Sequence, residues 1–518
     1  MAKLFIGVDA GGTMVKVAAF DAEGHELGCE HRPNPMTFPH PGWTERDPDA
    51  MWRNAAAAIR DLLERMAIDP ADVAAVTASG YGAGIFLLDR AGRPVRPALG
   101  STDSRAADLI ARWRRSGLAT ELPFAVSQGV WTGQTSVLLA WFQENEPEVA
   151  ERTAHVLSCK DFLTYRLSGT ISTDPTDAGC AGVLDLERGC YAADALREAG
   201  LRRWLDKLSP IGAAGELVGK ITPEAAALTG LRTGTPVARG VYDVVGCSLA
   251  SGFTGTDQLG VVAGTFSINS TLHPIPCLDP MPTLQSPYPG APGHYIATIA
   301  TPTSASNLEW LCRTMLAAEA ERALRAGRSI YDICSELVAE GMERESDAMF
   351  LPYLFGGPDG APGALFGLTA GSSLGDVLRA VFEGIVFAHR TDIDYLLGGG
   401  SSAQPKQVLL AGGPSKSHVW SQMFCDVIGL PLTVAEGSEF GAKGAAICGA
   451  VATGAAPDIP TAIAQMTRVA RSYTPRTERL SRIDRQYDRY RRMSRQLSDA
   501  WMPAGPEPSP SCFAGAQA

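Results

Sequence analysis

The sequence predicts an α/β protein built from two large domains. Short apolar runs typical of strands alternate with longer amphipathic segments typical of helices along most of the chain. The 518 residues are too many for one ordinary hydrophobic core. A glycine–threonine turn between two apolar runs also occurs once in each half, at Gly12-Thr13 and at Gly264-Thr265. This repetition indicates an internal duplication.

The first half alternates between the two element types. Apolar, β-rich runs predict strands over residues 4–8, 15–20 and 73–79. Segment 49–66 predicts an amphipathic helix, with Asp47 as its N-cap and Pro48 at its first position. Further helices are predicted to end at residues 113, 141 and 167, and Gly169 follows the last of them as a C′ glycine.

We place the boundary between the domains at residue 250, because glycine-rich sequence precedes the second glycine–threonine turn. The predicted domains are therefore 1–250 and 251–501. The second ends in a charged helix over 476–501, whose apolar stripe predicts packing against the domain body. Residues 502–518 are rich in proline, glycine, serine and alanine, which predicts a disordered tail.

Composition excludes several classes of partner. The chain is 45% hydrophobic and 19% charged, as is typical of a soluble globular protein. The net charge of −11 disfavours binding to nucleic acid and to anionic membranes. Neither an 18-residue uncharged apolar segment nor the apolar region of a signal peptide is found. We expect a cytoplasmic protein without nucleic-acid or membrane partners, and leave the oligomeric state open, a homodimer included.

The cysteines and histidines predict no metal or disulfide framework. The 11 cysteines are scattered singly, without a Cys-x-x-Cys motif or a nearby histidine at zinc-ligand spacing. The eight histidines are equally scattered, so a histidine-based catalytic triad has no support.

The start of the chain carries the most informative motif. A strand-like run ends at Asp9, and Gly11, Gly12, Thr13 and Lys16 follow before the next apolar run. A hairpin turn here exposes backbone N–H groups, a hydroxyl and a cation, which suits phosphate oxygens, and Asp9 can hold a hydrated Mg²⁺ beside them. The alternative is an ordinary glycine-rich hairpin turn.

Two further glycine motifs strengthen the phosphate interpretation. Gly264-Thr265 repeats the first turn, and Gly412-Gly413 follows a strand-like run and opens a predicted helix, where a nucleotide can approach the backbone closely. The sequence contains no P-loop, and no Gly-x-Gly-x-x-Gly follows a predicted strand. These two types of nucleotide site are therefore not predicted.

Three acidic residues are candidates for chemistry. Asp243 lies in an apolar stretch after a predicted strand, and a buried acid there must be paired or functional. It is either a general base that takes a proton from a substrate hydroxyl during phosphoryl transfer, or the N-cap of a helix over 244–250. Asp103 and Asp174 lie in polar loops and either accept hydrogen bonds from sugar hydroxyls or cap helices.

Together these motifs resemble those of the FGGY carbohydrate kinases, which belong to the actin-like ATPase superfamily. The resemblance runs from residue 4 to about residue 490, nearly the whole chain. The matching motifs occur in the family's order, at residues 9–16, 160–163, 167–169, 173–174, 240–243, 264–265, 411–414 with Gln422, and 436–445.

The resemblance implies two actin-like (ribonuclease H-like) domains with a nucleotide/sugar cleft between them. It also implies ATP- and Mg²⁺-dependent phosphorylation of a terminal primary hydroxyl of a small sugar. The implied roles are catalysis by Asp243, Mg²⁺ binding by Asp9, phosphate contacts by Gly11, Gly12, Thr13, Lys16, Gly264 and Thr265, nucleotide contacts by Gly412, Gly413 and Gln422, and sugar contacts by Gly80, Tyr81, Gly82, Asp103, Asp174 and Asp243. Many members have Thr or Ser where this chain has Gly12, so Thr13 must supply the hydroxyl.

Within the family, segments 41–47, 131–133, 242–245 and 302–310 are most similar to L-xylulose kinases. The expected substrate is therefore L-xylulose or another ketopentose. Segment 159–161 is also similar to erythritol kinases, which makes a polyol the alternative substrate. A non-catalytic sugar-sensing regulator is the alternative of another class, but the presence of both Asp9 and Asp243 argues against it.

Overall fold

The computed structural model describes residues 3–342, 344, 346–399 and 401–501. The described chain forms two compact units. One unit contains the residues up to Gly255 together with Leu272–Ala297 and Glu436–Arg468, and the other contains Thr256–Thr271, Thr298–Ala435 and the residues from Val469 onward. The predicted tail over 502–518 lies outside the described residues.

Strands and helices alternate up to residue 255. The strands are β1 (Leu4–Ala10), β2 (Met14–Phe20), β3 (Glu26–Pro33), β4 (Glu45–Arg46), β5 (Val73–Gly80), β6 (Phe86–Leu88), β7 (Ala98–Leu99), β8 (His155–Leu157), β9 (Leu184–Asp185), β10 (Cys190–Tyr191), β11 (Leu217–Lys220) and β12 (Pro236–Ala238). The helices are α1 (Pro48–Arg65), α2 (Ala107–Ser116), α3 (Leu118–Val126), α4 (Thr135–Asn145), α5 (Pro147–Arg152), α6 (Cys159–Ser168), α7 (Pro175–Cys180), α8 (Ala193–Glu198), α9 (Pro223–Thr229) and α10 (Asp243–Ala250).

The same alternation continues after residue 255. The strands are β13 (Gln258–Ala263), β14 (Ser267–His273), β15 (Leu284–Pro287), β16 (Tyr295–Thr301), β17 (Met349–Leu351), β18 (Ala364–Phe366), β19 (Gln407–Gly412), β20 (Leu432–Ala435) and β21 (Val469–Tyr473). The helices are α11 (Ser306–Thr314), α12 (Ala317–Arg325), α13 (Ile330–Gly341), α14 (Leu374–Leu396), α15 (His418–Ile428), α16 (Phe440–Ala452), α17 (Ile459–Met466) and α18 (Leu480–Trp501).

In the first unit, six strands of the described chain form a sheet in the order β11–β12–β5–β1–β2–β3. Strand β1 pairs antiparallel with β2 and parallel with β5. Helix α1 packs on β2 and β3, while α16 packs on β1 and β5. The hairpin of β1 and β2 places Asp9 directly opposite Lys16.

A second sheet repeats this arrangement. Among the described residues, seven strands follow the order β15–β16–β14–β13–β19–β20–β21. Strand β13 pairs antiparallel with β14 and parallel with β19, as β1 does with β2 and β5. The predicted α/β duplication is therefore present in the sheet topology.

The compact units differ from the contiguous division into 1–250 and 251–501, because a late helix packs on the first sheet. Helix α16 approaches β1 so closely that a Cβ atom on Gly7 would lie 1.8 Å from the carbonyl oxygen of Ala442. Segment Glu436–Arg468 therefore belongs to the first unit. Contacts between residues more than 400 positions apart leave no local pattern in the sequence.

Local signals correctly predicted the start of α1 and the glycine that ends α6, whereas the helices predicted to end at residues 113 and 141 continue to Ser116 and Asn145. Asp47 caps α1, since its carboxylate accepts hydrogen bonds from the N–H groups of Asp49 and Ala50. Gly169 ends α6 with φ of 75°. The charged terminal helix begins at Leu480 rather than at residue 476, because a short 3₁₀ turn precedes it. No helix in the described part of the chain is long and apolar enough to cross a membrane.

Candidate active site

In the first glycine loop, residues 11–13, the carbonyl groups accept hydrogen bonds from other parts of the protein. The carbonyl of Gly11 accepts a hydrogen bond of 2.8 Å from the Asn34 side chain, and that of Thr13 accepts one of 2.7 Å from the Asn34 N–H. Arg46 donates to the carbonyl of Gly12 at 2.7 Å. The N–H groups of Gly12 and Thr13 have no hydrogen-bond partner among the described residues. A loop with fixed carbonyls and free N–H groups suits an anion.

Asp9 is the second-to-last residue of β1, lies beside this loop and is buried. Its Oδ1 atom is buried and has no hydrogen-bond partner within the described chain. Burial raises the pKa of Asp9 to about 6, an effect that Lys16 opposes and Glu439 reinforces. A buried carboxylate oxygen without a partner is costly, and a cation is the partner it lacks. The site therefore fits a hydrated Mg²⁺, which prefers carboxylate oxygens.

Glu439 is a member of the site that sequence analysis missed. It precedes α16, and its Oε2 atom lies 3.2 Å from Nζ of Lys16. Its other oxygen lies 3.1 Å from Nε2 of His31. Burial lowers the pKa of Lys16, but the carboxylates of Glu439 and Asp9 outweigh burial and leave that pKa above its ordinary value. The one local signal is an acid directly before the Gly-Ala-rich helix.

Glycines on α16 allow the close approach of this helix to the site. A Cβ atom on Gly441 would lie 2.4 Å from Oδ2 of Asp9. A Cβ atom on Gly444 would lie 2.1 Å from the carbonyl oxygen of Gly246 in α10. Glycine is therefore required at position 444 for α10 and α16 to pack as they do, whereas a side chain at position 441 would displace the Asp9 carboxylate.

Asp243 is the first residue of α10, not its N-cap. The N-cap is Tyr242, which makes no side-chain capping hydrogen bond. The Oδ1 atom of Asp243 accepts a hydrogen bond of 2.8 Å from the N–H of Val244. Burial raises the pKa of Asp243 to about 8, and the charge of Asp9 adds to the effect. The capping alternative is therefore wrong, and a pKa near neutrality suits a group that moves protons.

The predicted sugar loop lies next to Asp243. Gly80 ends β5 and forms a parallel bridge with Tyr242. A Cβ atom on Gly82 would lie 2.8 Å from the ring of Tyr242, and the Gly82 N–H stabilises the charged form of Asp243. Tyr81 is buried, with the Arg46 guanidinium 4.9 Å from the centre of its ring. Sugar binding by Gly80, Tyr81 and Gly82 stays a prediction.

Asp103 lies in a buried network of hydrogen bonds. It is 0% exposed. Its Oδ1 atom accepts a hydrogen bond of 2.9 Å from Nε of Arg105, and its Oδ2 atom accepts one of 2.7 Å from the N–H of Thr44. The guanidinium of Arg105 lies 4.1 Å from the ring centre of Trp43. The carboxylate therefore holds a buried arginine, and sugar binding by Asp103 stays a prediction.

Asp174 also has partners within the protein, and its sugar contact stays a prediction. It is 0% exposed and caps α7 by accepting hydrogen bonds from the N–H groups of Thr176 and Asp177. Its Oδ1 atom also lies 3.0 Å from Nζ of the buried Lys160. The cap interpretation is the one that the structure supports.

The second unit contains the other predicted nucleotide loops. Gly264 and Thr265 connect β13 to β14, and their carbonyls accept hydrogen bonds from the Ala305 N–H at 2.9 Å and from the Ser306 hydroxyl at 2.8 Å. A Cβ atom on Gly264 would meet no described atom within 4 Å. Other parts of the protein therefore hold the carbonyl groups of this loop, while the space beside Gly264 is open. The backbone at Gly264 does not itself require glycine.

The glycines after β19 differ from each other. Gly412 has φ of 94°, and a Cβ atom there would lie 2.2 Å from the carbonyl oxygen of Ala263, so this position requires glycine. A Cβ atom on Gly413 would meet no described atom within 4 Å. Because Ala263 pairs with Gly412 in the sheet, this turn and the Gly264 loop lie side by side.

The side-chain amide of Gln422 forms hydrogen bonds within the second unit. Its Nε2 atom donates hydrogen bonds of 2.8 Å to Oδ1 of Asp426 and 2.9 Å to the carbonyl of Thr474. Asp426 in turn accepts a hydrogen bond from Nε of Arg476 at 2.8 Å. The amide therefore ties α15 to the segment before α18, and the nucleotide contact of Gln422 stays a prediction.

Comparison with protein families identifies the chain. Residues 4–250 match the N-terminal domain of the FGGY family of carbohydrate kinases, and residues 259–453 match its C-terminal domain. The chain belongs to the FGGY family of carbohydrate kinases. The predicted family is thereby confirmed.

Individual relatives of this FGGY kinase agree with that result. It is 30% identical to the L-xylulose/3-keto-L-gulonate kinase of Escherichia coli (strain K12), over 95% of this chain and 97% of the relative. It is 31% identical to a probable L-xylulose kinase of Pasteurella multocida (strain Pm70), over 86% and 89% of the two chains. The crystal structure of xylulose kinase from Rhodospirillum rubrum superposes with a TM-score of 0.81 at 26% identity, covering 96% of this chain and 99% of that one.

These comparisons confirm the fold class and the enzyme class. The FGGY kinase has the predicted mixed α/β fold of two actin-like domains, and it is a carbohydrate kinase. The roles of the site residues stay predictions, as do the cleft between the domains and the homodimer.

Proposed function

We propose that this FGGY kinase transfers the γ-phosphoryl group of ATP to the terminal primary hydroxyl of a five-carbon 2-ketose, with L-xylulose as the first candidate. The observation that carries the reaction is the environment of Asp243, a carboxylate with a raised pKa beside a second acid. The relatives named L-xylulose kinase and probable L-xylulose kinase support the substrate.

Asp243 is the proposed general base. It forms no ion pair with a described residue, and its side chain accepts a hydrogen bond from the N–H of the adjacent Val244. As the sugar hydroxyl oxygen attacks the γ-phosphorus, its proton passes to the carboxylate of Asp243, and the bond between phosphorus and the ADP oxygen breaks. A base with a pKa near the working pH is well matched to this transfer.

The first unit also supplies the proposed phosphate contacts. The free N–H groups of Gly12 and Thr13 and the ammonium of Lys16 orient phosphate oxygens, while the unpartnered oxygen of Asp9 holds the metal. Mg²⁺, when bound with ATP, offsets the charge that develops on the phosphates. We assign phosphate contacts in the second unit to Gly264 and Thr265.

The adenosine contact of the second unit is proposed for Gly412 and Gly413. Gly412 adopts a backbone conformation that favours glycine, and a Cβ atom on the adjoining Gly413 would meet no described atom within 4 Å. Such a turn lets a nucleotide approach the main chain closely.

A screen for sugar-stimulated ADP release tests this function. Pentuloses, hexuloses and four- and five-carbon polyols are compared by kcat/KM, with Asp243→Asn as the control for contaminating kinases. We expect a ketopentose to give the highest value, with phosphate on its terminal carbon. A polyol such as erythritol giving a higher kcat/KM than every ketopentose overturns the substrate assignment. If no sugar or polyol stimulates ADP release, the non-catalytic sensor is favoured.

The pH dependence of kcat/KM should reflect the ionisation of Asp243 and Asp9. Because Asp243 can accept a proton only when ionised, kcat/KM should fall about tenfold per pH unit on the acidic side of its pKa. Burial raises the pKa of Asp243 to about 8 and that of Asp9 to about 6. Because the two charges interact, the pKa values seen in the rate profile describe the pair of acids and not either residue alone. A rising profile with its upper bend near pH 8 is expected for kcat/KM. A profile that is flat over this range would contradict the assignment of Asp243.

A further inference from the structure

Three side chains of different metal-binding chemistry converge in the first unit. They are Cys29 and His31 of β3 and Glu439 before α16, and one ligand atom from each lies within 4.8 Å of the other two. Nε2 of His31 is 3.1 Å from Oε1 of Glu439. Cys29 and His31 have no role in the proposed function, and Glu439 enters it only through its ion pair with Lys16.

Strand β3 and the segment before α16 together position the three side chains of this cluster. Side chains two residues apart on a strand share one face, so Cys29 and His31 project from the same side of β3. The third residue is fixed by Glu26, at the start of the same strand. The carboxylate of Glu26 accepts hydrogen bonds of 3.0 Å from the Ser438 N–H and 3.2 Å from the Glu439 N–H. These hydrogen bonds therefore hold the segment before α16 beside β3.

The donor set selects the class of ion. A thiolate, an imidazole and a carboxylate together are typical of Zn²⁺ with three protein ligands and one open position, whereas Mg²⁺ and Ca²⁺ take oxygen ligands. With metal–ligand bonds of about 2.0–2.3 Å, ligand atoms in a tetrahedral site lie roughly 3.3–3.8 Å apart. The distance of 3.1 Å between His31 and Glu439 is already close to this value.

We propose that Cys29, His31 and Glu439 form a binding site for a thiophilic divalent cation of the Zn²⁺ class. The site is accessible, because the side chain of His31 is 44% exposed and Cys29 is half-buried. On binding, the Cys29 thiol loses its proton to solvent and its sulfur bonds to the metal. The fourth position is left for water or another small ligand.

Titration of the metal-free full-length protein with Co²⁺ tests the proposal. Cobalt bound to a thiolate gives a charge-transfer absorption band that oxygen and imidazole ligands do not give. We expect this band to saturate at one equivalent and to disappear on addition of Zn²⁺. Cys29→Ser should abolish the band, and His31→Ala should weaken affinity by about tenfold or more.

Matched variants separate this site from others. Cys190→Ser removes an exposed cysteine outside the cluster and should leave the band unchanged. His25→Ala removes a member of the thiol-free group of Asp21, Glu23 and His25, and should also have no effect on the band. The unfolding temperature of each variant shows whether it is folded. If Cys29→Ser is not folded, Glu439→Gln provides the second test.

The proposal is overturned if wild-type protein gives no thiolate band, or if the band survives in Cys29→Ser. Loss of the band in Cys190→Ser would also overturn it. These readouts do not depend on turnover, so failure here is distinguishable from failure of the kinase assignment.

Discussion

Replacing Asp243 with asparagine should lower kcat by about 10²- to 10⁴-fold, the usual contribution of a general base. Asparagine has nearly the same shape but cannot accept the hydroxyl proton. Sugar affinity should stay within a few fold of wild type, because the amide can still form hydrogen bonds. The measurement is the steady-state rate with the best ketopentose, together with direct sugar binding by calorimetry. A variant that keeps more than a tenth of wild-type kcat removes Asp243 from the catalytic role.

The same substitution should stabilise the protein at high pH. Burial raises the pKa of Asp243 from 3.8 to about 8, so between these values the folded chain holds a proton that the unfolded chain releases. Wild-type stability therefore falls as pH rises through this window. Since an asparagine side chain does not ionise, the Asp243→Asn variant should be more stable than wild type above about pH 8, by an amount on the order of 1 kcal/mol after solvent screening.

Asp499→Asn is the matched control for both measurements. It neutralises an exposed carboxylate of α18, so neither kcat nor the pH dependence of unfolding should change. Loss of activity together with loss of stability in Asp243→Asn would instead indicate a structural role.

The parts of the fold that depend on neighbouring residues were predictable. The hairpin that places Asp9 opposite Lys16 spans only a few residues, so its strands, turn and charges can be seen together in the sequence. The helix start at Asp47 and the helix end at Gly169 have the same local origin. Hydrogen bonds that close within one turn leave a signature in residue type and spacing.

The sequence could not identify the protein partners of two predicted sugar ligands. Asp103 and Asp174 are acids at polar loops, and this pattern does not show whether the partner is a sugar or a buried cation. In the structure the cations are Arg105 and Lys160. The decisive quantity is burial, which is set by packing across the whole unit.

Glu439 was missed for a different reason. It contacts Lys16 and His31 across more than 400 residues, and nothing in either segment alone indicates the pairing. The same long-range packing of α16 explains why the compact units interleave along the chain.

Substituting Gly441 with alanine should remove most activity while leaving the protein folded. The new methyl carbon would lie 2.4 Å from Oδ2 of Asp9, so one of them must move. Helix α16 is held by its close contacts with Gly7 and Gly246, whereas the Asp9 carboxylate is the end of a side chain. We therefore expect Asp9 to rotate, and a displacement of about 1 Å at a catalytic group can cost about 10²-fold in rate.

The effect on stability should be small, and a double-mutant cycle identifies its source. Alanine is favoured over glycine in a helix by about 1 kcal/mol, while overpacking costs about 1–3 kcal/mol. In an Asp9→Ala background the clash is absent, so Gly441→Ala should there become stabilising. Gly341→Ala in α13 is the control, since its Cβ atom meets described backbone only at 3.8 Å, and it should leave kcat unchanged. Wild-type activity in Gly441→Ala would mean that catalysis does not require Asp9 in its present position.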